Sequence, residues 1–132
     1  MNEKSEKLIG RVLAGLGEGR YYISRKGYSD QFSEMLGFKP FPGTLNLKLN
    51  EPFRPAKYPP IEIKEFQDEG RTFGGCSCYK ICMKEVDAAI IRPDWSCYPA
   101  DLVEVIAPIS LKNCLGLSDG DFVSLMIQLK DI

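Results

Sequence analysis

Gly43-Thr44-Leu45-Asn46-Leu47-Lys48-Leu49 alternates apolar and polar residues without a break from Thr44 to Leu49. On a strand this sends Leu45, Leu47 and Leu49 to one side and Thr44, Asn46 and Lys48 to the other, the pattern of a strand with a core on one face only. The preceding Pro40-Phe41-Pro42-Gly43 is a rigid turn that launches the strand. The prolines at 52, 55, 59 and 60 mark a loop after it that cannot enter a sheet interior.

Outward from that segment, Leu8 to Ala14, Tyr21-Tyr22-Ile23, Ile61-Glu62-Ile63, Thr72 to Met83, Val86 to Ile91, Leu102 to Ala107 and Phe122 to Leu129 read as further strands. Two stretches have helical character. In Ser29 to Leu36, Phe32, Met35 and Leu36 recur at i, i+3 and i+4, with Ser29 as N-cap and Gly37 as the stop. The second, Ser110 to Leu115, ends at Gly116. About six to eight strands, two short helices and no βαβ rhythm predict a mainly β fold, an antiparallel or mixed barrel rather than a doubly wound sheet.

A chain of 132 residues is expected to form a single domain over 1–132, and its 44% hydrophobic and 27% charged residues are those of a globular protein. The net charge of −1, with no basic run longer than pairs such as Arg25-Lys26, speaks against a nucleic-acid partner. Five cysteines at 76, 78, 82, 97 and 114 form no CxxC pair, and Met1 to Lys7 lacks the apolar core of a signal peptide. A reducing cytoplasm is the expected setting. No apolar run approaches the ~18 residues of a membrane span, so no membrane partner is expected. The composition leaves the oligomeric state open.

Candidate chemistry gathers at two glycine-flanked segments. In Gly15-Leu16-Gly17-Glu18-Gly19-Arg20, glycine at every second position leaves backbone that can approach a ligand closely, with N–H groups free to meet phosphate oxygens and Arg20 as a fixed cation at the rim. The spacing matches neither the dinucleotide fingerprint nor the P-loop, so an ordinary glycine-rich hairpin turn is an open reading. On the alternating strand, the Thr44 hydroxyl and Asn46 amide are two uncharged hard oxygen donors that suit Mg²⁺ completed by water and phosphate, with Lys48 on the same face. A plain solvated face is the other reading. The pairing points to nucleotide chemistry.

Other features are weaker. Cys76, Cys78 and Cys82 share a strand face, but the chain has no histidine and buried thiols are the expected outcome. Phe73, Trp95 and Tyr98 suit either a stacked planar ligand or a core. Glu104, within Leu102-Val103-Glu104-Val105-Ile106, either faces outward at an edge or reaches into a pocket.

Gly15-Leu-Gly-Glu-Gly-Arg20-Tyr21, then Leu36-Gly37-Phe38 with Pro42-Gly-Thr-Leu-Asn-Leu-Lys-Leu49, then Glu104-Val-Ile-Ala-Pro108 occur in the order found in the archaeal CTP-dependent riboflavin kinases, which this chain resembles over nearly its whole length. The resemblance implies a cradle-loop β-barrel of about six core strands, related to swapped-hairpin barrels. It also implies transfer of the γ-phosphoryl of CTP to riboflavin, giving FMN and CDP. By position, Gly15, Leu16, Gly17, Glu18, Gly19 and Arg20 would hold the nucleotide, helped by Ile109, Ser110, Leu111 and Lys112. Thr44 and Asn46 would ligate Mg²⁺, and Ser96 and Glu104 would hold the flavin. Ser96 stands where a threonine is common, and Asp94 to Asp101 departs most from the family pattern.

Phosphoryl transfer demands placement and charge neutralisation more than a strong base, which suits a chain without histidine. Glu104 is the candidate late proton acceptor and Lys48 a candidate charge donor. A nucleotide- or flavin-binding sensor without turnover, or a swapped-hairpin DNA-binding regulator, is the alternative.

Overall fold

A computed structural model describes residues 4–15, 23–94 and 99–131. The expected glycine loop from Leu16 to Arg20, Tyr21-Tyr22, and Trp95, Ser96, Cys97 and Tyr98 lie outside the described residues.

Nine strands are described: β1 (Ser5–Leu13), β2 (Leu45–Leu49), β3 (Ile61–Ile63), β4 (Phe66–Asp68), β5 (Arg71–Phe73), β6 (Cys76–Met83), β7 (Val86–Pro93), β8 (Leu102–Ile106) and β9 (Phe122–Gln128). Two helices accompany them, α1 (Lys26–Leu36) and α2 (Leu111–Cys114), with a single 3-10 turn at Pro55–Lys57. Seven strands form one antiparallel sheet in the order β3-β6-β7-β8-β2-β1-β9. Pairing of Ile81 with Ile127 and Cys82 with Met126 joins β6 to β9 and closes six of them into a barrel. The mainly β barrel with two short helices is therefore what the chain forms.

Alternation decides what lies inside. Leu45, Leu47 and Leu49 of β2, Tyr79, Ile81 and Met83 of β6, Ala88 and Ile90 of β7, Val103 and Val105 of β8, and Val123, Leu125 and Ile127 of β9 fill the barrel. The outer face of β6, β7 and β8 is apolar too, because α1 covers it. Tyr28, Phe32 and Leu36 pack there with Cys76, Cys78, Ala89, Ile91 and Ile106. Cys76 and Cys78 are thus buried thiols, and Cys82, further along the same face, is half-buried.

Several local expectations shift. The helix begins at Lys26 with Arg25 as N-cap, one turn before Ser29, and ends at Gly37, whose φ of 81° is the left-handed cap that glycine tolerates best. Ile23 and Ser24 have helical backbone, so Ile23 does not belong to a returning strand. Ser110 caps α2, its side chain accepting from the Asn113 N–H. The long strand expected from Thr72 to Met83 is broken at Gly74-Gly75. A Cβ at Gly75 would lie 2.4 Å from the Ile63 carbonyl oxygen, so the close approach of β3 requires glycine there. Residues before the break pair instead as the β4–β5 ribbon, in which Phe66 and Phe73 stack at 5.3 Å and Tyr28 meets Phe66 edge-on at 4.7 Å. Phe73 is core.

Two hairpins turn through left-handed residues. Glu69 (φ 51°) and Gly70 (φ 73°) join β4 to β5, while Lys84 (φ 46°) and Glu85 (φ 69°) join β6 to β7 with no glycine. Replacing Lys84 by Asn and Glu85 by Gly supplies the pair that such a turn favours. Urea unfolding is expected to show a gain of about 1 kcal/mol.

The start of β1 is tied to the proline loop by Glu6, which accepts from the Tyr58 hydroxyl and, at 2.9 Å, from the Lys57 ammonium. These contacts, Tyr58 first, hold the Glu6 carboxyl below its ordinary range against the opposing effect of burial. The unfolded chain then binds the Glu6 proton more readily, so this stabilisation is present above the unfolded carboxylate range and lost as the pH falls through the lowered folded value. Glu6→Gln should narrow the difference between urea midpoints at pH 7 and at roughly pH 4. An unchanged difference would remove this carboxylate from the acid response.

Candidate functional site

The wall formed by β1, β2 and β8 has two chemistries. Its inner face is the barrel core; its outer face carries Leu13, Asn46 and Glu104 in one row across the strands, because Leu13 pairs with Asn46 and Asn46 pairs with Glu104. Ile91 of β7 continues that row. Glu104 is 7% exposed, the buried charged residue among those described. Of the two readings for it, an exposed edge fails: β8 is flanked by β7 and β2, and its acid faces outward beside the apolar surface under α1. A carboxylate so placed needs polar partners to stay charged. One is the Thr44 hydroxyl, 3.4 Å from Oε1 of Glu104.

Thr44 immediately precedes β2, at the rim where the outer row meets the barrel mouth. There it lines a cleft of about 140 Å³ together with Phe41, Gly43, Leu45, Val105, Ala107 and the run Ile109 to Lys112. The Phe41 N–H donates to the Ala107 carbonyl at 2.7 Å, which holds the segment before β2 against the segment after β8. Segments distant in the chain are thus brought together at the strand ends. Thr44 joins two groups of candidate residues that lie about 60 positions apart in the chain.

Gly15 is exposed and lies two residues beyond Leu13, which pairs with Asn46. Lys48, exposed, is on the outer face with Asn46, one step further from Glu104, opposite Arg11 on β1 and Leu102 on β8. Lys112 reaches Asp119 at 2.6 Å and so shares its charge with the turn before β9. That turn is itself bonded to the end of β1, Gly120 N–H to the Val12 carbonyl at 2.7 Å.

Thr44, Asn46 and Glu104 together present oxygen donors only, one of them charged. This is a set suited to a hard cation that keeps much of its water, and not to zinc. Among the described residues no group of three or more His, Cys, Asp or Glu side chains could hold a metal. Any cation here would depend on neutral donors and on the ligand's own oxygens.

Phe41 is one of the cleft residues that the sequence does not single out. It appeared only as part of a proline turn, and its exposure in the cleft wall arises from the pairing of that turn with Ala107. Among the described residues no helix is long and apolar enough to cross a membrane.

Comparison with known proteins agrees with the resemblance in the motifs. Riboflavin kinase of Methanocella arvoryzae is 56% identical over 119 residues, covering 90% of this chain and 56% of that protein. Riboflavin kinase of Pyrobaculum aerophilum is 44% identical over 133 residues, covering 97% and 63%, and that of Archaeoglobus fulgidus 44% identical over 133 residues, covering 97% and 57%. The chain therefore spans somewhat over half the length of these relatives. A family model named CTP-dep_RFKase, described as a domain of unknown function, DUF120, matches residues 12–127. With that match over most of its length, the chain belongs to the CTP-dep_RFKase family.

Proposed function

We propose that this barrel is a cytoplasmic riboflavin kinase that moves the γ-phosphoryl group of CTP to the 5′-hydroxyl of riboflavin. The names of its relatives support the acceptor, and the family name supports the donor. The observation that carries the reading is the position of Thr44: its hydroxyl reaches Glu104 on the outer wall while its residue lines the cleft with Ile109 to Lys112. A kinase needs its donor and acceptor subsites to share one boundary, and this residue stands on it.

In the proposed reaction the riboflavin 5′-oxygen forms a bond to the γ-phosphorus as the bond from that phosphorus to the β,γ-bridging oxygen breaks. CDP leaves with the bridging oxygen, and the hydroxyl proton passes late to Glu104 or to solvent. Glu104 orients the flavin first and accepts a proton second. Ser96 is assigned to the flavin with it. Backbone N–H groups of Gly15 to Gly19, with Arg20, cradle the phosphate chain, and Ile109 to Lys112 hold the nucleoside side. Lys48 adds positive charge on the same face as Asn46. Mg²⁺ bound by Thr44 and Asn46 would supply charge neutralisation at the phosphate oxygens.

The direct test incubates the purified protein with riboflavin, Mg²⁺ and either CTP or ATP and separates riboflavin from FMN by chromatography. FMN with CTP and little with ATP is expected; a folded protein that makes none with any nucleoside triphosphate would sink the proposal.

Thr44→Ala should lower turnover by at least ~100-fold while leaving the circular dichroism spectrum and unfolding midpoint unchanged. Normal activity in this variant removes the metal assignment.

For Glu104→Gln, the split between kinetic constants separates the two roles. Weaker riboflavin binding together with a reduced kcat at saturation is expected. If kcat at saturation is spared, the proton-acceptor role fails and the binding role stands.

A further inference from the structure

Two of the large apolar side chains left exposed among the described residues, Phe41 at 41% and Ile109 at 38%, line the same cleft. They come from separate segments: Phe41 precedes β2, Ile109 follows β8, and the bond from the Phe41 N–H to the Ala107 carbonyl holds the two segments against each other. Gly43 adjoins the Phe41 ring, which lies 3.7 Å from where a Cβ on Gly43 would stand. A partly exposed aromatic ring and a branched aliphatic side chain lining one small cleft make an apolar surface suited to a flat ring.

Size and surroundings identify the ring. The cleft, about 140 Å³, is less than half the ~300 Å³ at which pockets for drug-sized ligands begin, so it admits one six-membered ring and not three fused ones. Thr44, Ser110 and Lys112 are the polar residues that line it, and such residues suit the sugar and phosphates that would follow the ring out of the cleft. Glu104, assigned to the flavin, is on the outer wall and does not line the cleft, whereas its barrel-facing neighbour Val105 does.

We infer that Phe41, with Ile109 in the same cleft, packs against the pyrimidine base of the nucleoside triphosphate and sets the size of base that the cleft admits. This rests on the proposed kinase reading and adds a base-contacting residue to it. Phe41 makes no covalent contribution; its effect is on nucleotide affinity and choice.

Isothermal titration of CTP, riboflavin and inorganic tripolyphosphate in Mg²⁺ buffer, on the parent chain, Phe41→Ala and Phe41→Tyr, tests it. Loss of base–aromatic packing in Phe41→Ala should weaken CTP about tenfold or more. Phe41→Tyr, which keeps the ring, should restore CTP binding to within about threefold of the parent. Tripolyphosphate and riboflavin affinities and the unfolding midpoint should stay where they are in the parent, because the ring is exposed and touches neither phosphate nor flavin. An unchanged CTP affinity in Phe41→Ala overturns the inference, as does an equal loss for tripolyphosphate or a loss for riboflavin in place of CTP. If the parent forms FMN from CTP while Phe41→Ala keeps the parental KM for CTP, the inference fails and the kinase reading stands. If the parent binds no CTP, both fail.

Discussion

The short pairing of Ile81 with Ile127 and Cys82 with Met126 is the constraint on which the rest depends. Without it, β9 and the part of β6 beyond its short pairing with β3 would lie open at the margins of a long twisted sheet, and its inner face would lack a partner surface. With it, the inner face becomes a packed core needing nothing but apolar side chains. The outer face is released for two other tasks. On β6, β7 and the end of β8 it receives α1, and on β1, β2 and the start of β8 it carries polar residues.

That division explains how an acid comes to be buried where it is. Glu104 lies between the surface covered by α1 and the open polar wall, with Ile106 two residues beyond it under the helix and Asn46 directly across the ladder. A fully solvated carboxylate would be a weak anchor for a planar ligand, and a fully enclosed one would lose its charge. The boundary gives it low exposure together with hydroxyl and amide neighbours. Thr44, at the rim, couples this wall to the cleft without belonging wholly to either.

Much of this was readable from the chain because period-2 alternation is a local signal. Residues 44–49 announced both the core face and the donor face of β2, and Leu102 to Ile106 announced a strand with an acid in it. Gly37 marked the end of α1 at the right residue. What escaped depended on tertiary contacts. The β4–β5 ribbon turns through Glu69-Gly70 rather than the familiar Asn-Gly, and the break at Gly74-Gly75 reflects how closely β3 approaches. The burial of Glu104 depends on β8 lying between β7 and β2, and the cleft brings together segments on either side of the Phe41–Ala107 bond. The family resemblance named site residues that spacing alone left open, and the structure brings two of them, Thr44 and Glu104, within 3.4 Å of each other.

Because β2 places core on one side and candidate chemistry on the other, its register serves two masters. Adding or removing one residue within Leu45–Leu49 would turn Asn46 and Lys48 into the barrel and the leucines out to water. Packing and ligand binding would fail in the same step, and no compensating change elsewhere could repair one alone. The segment is thus a place where length cannot drift. Core face and candidate donor face are here encoded by the same parity, which ties the tolerance of the chain to insertions directly to this strand.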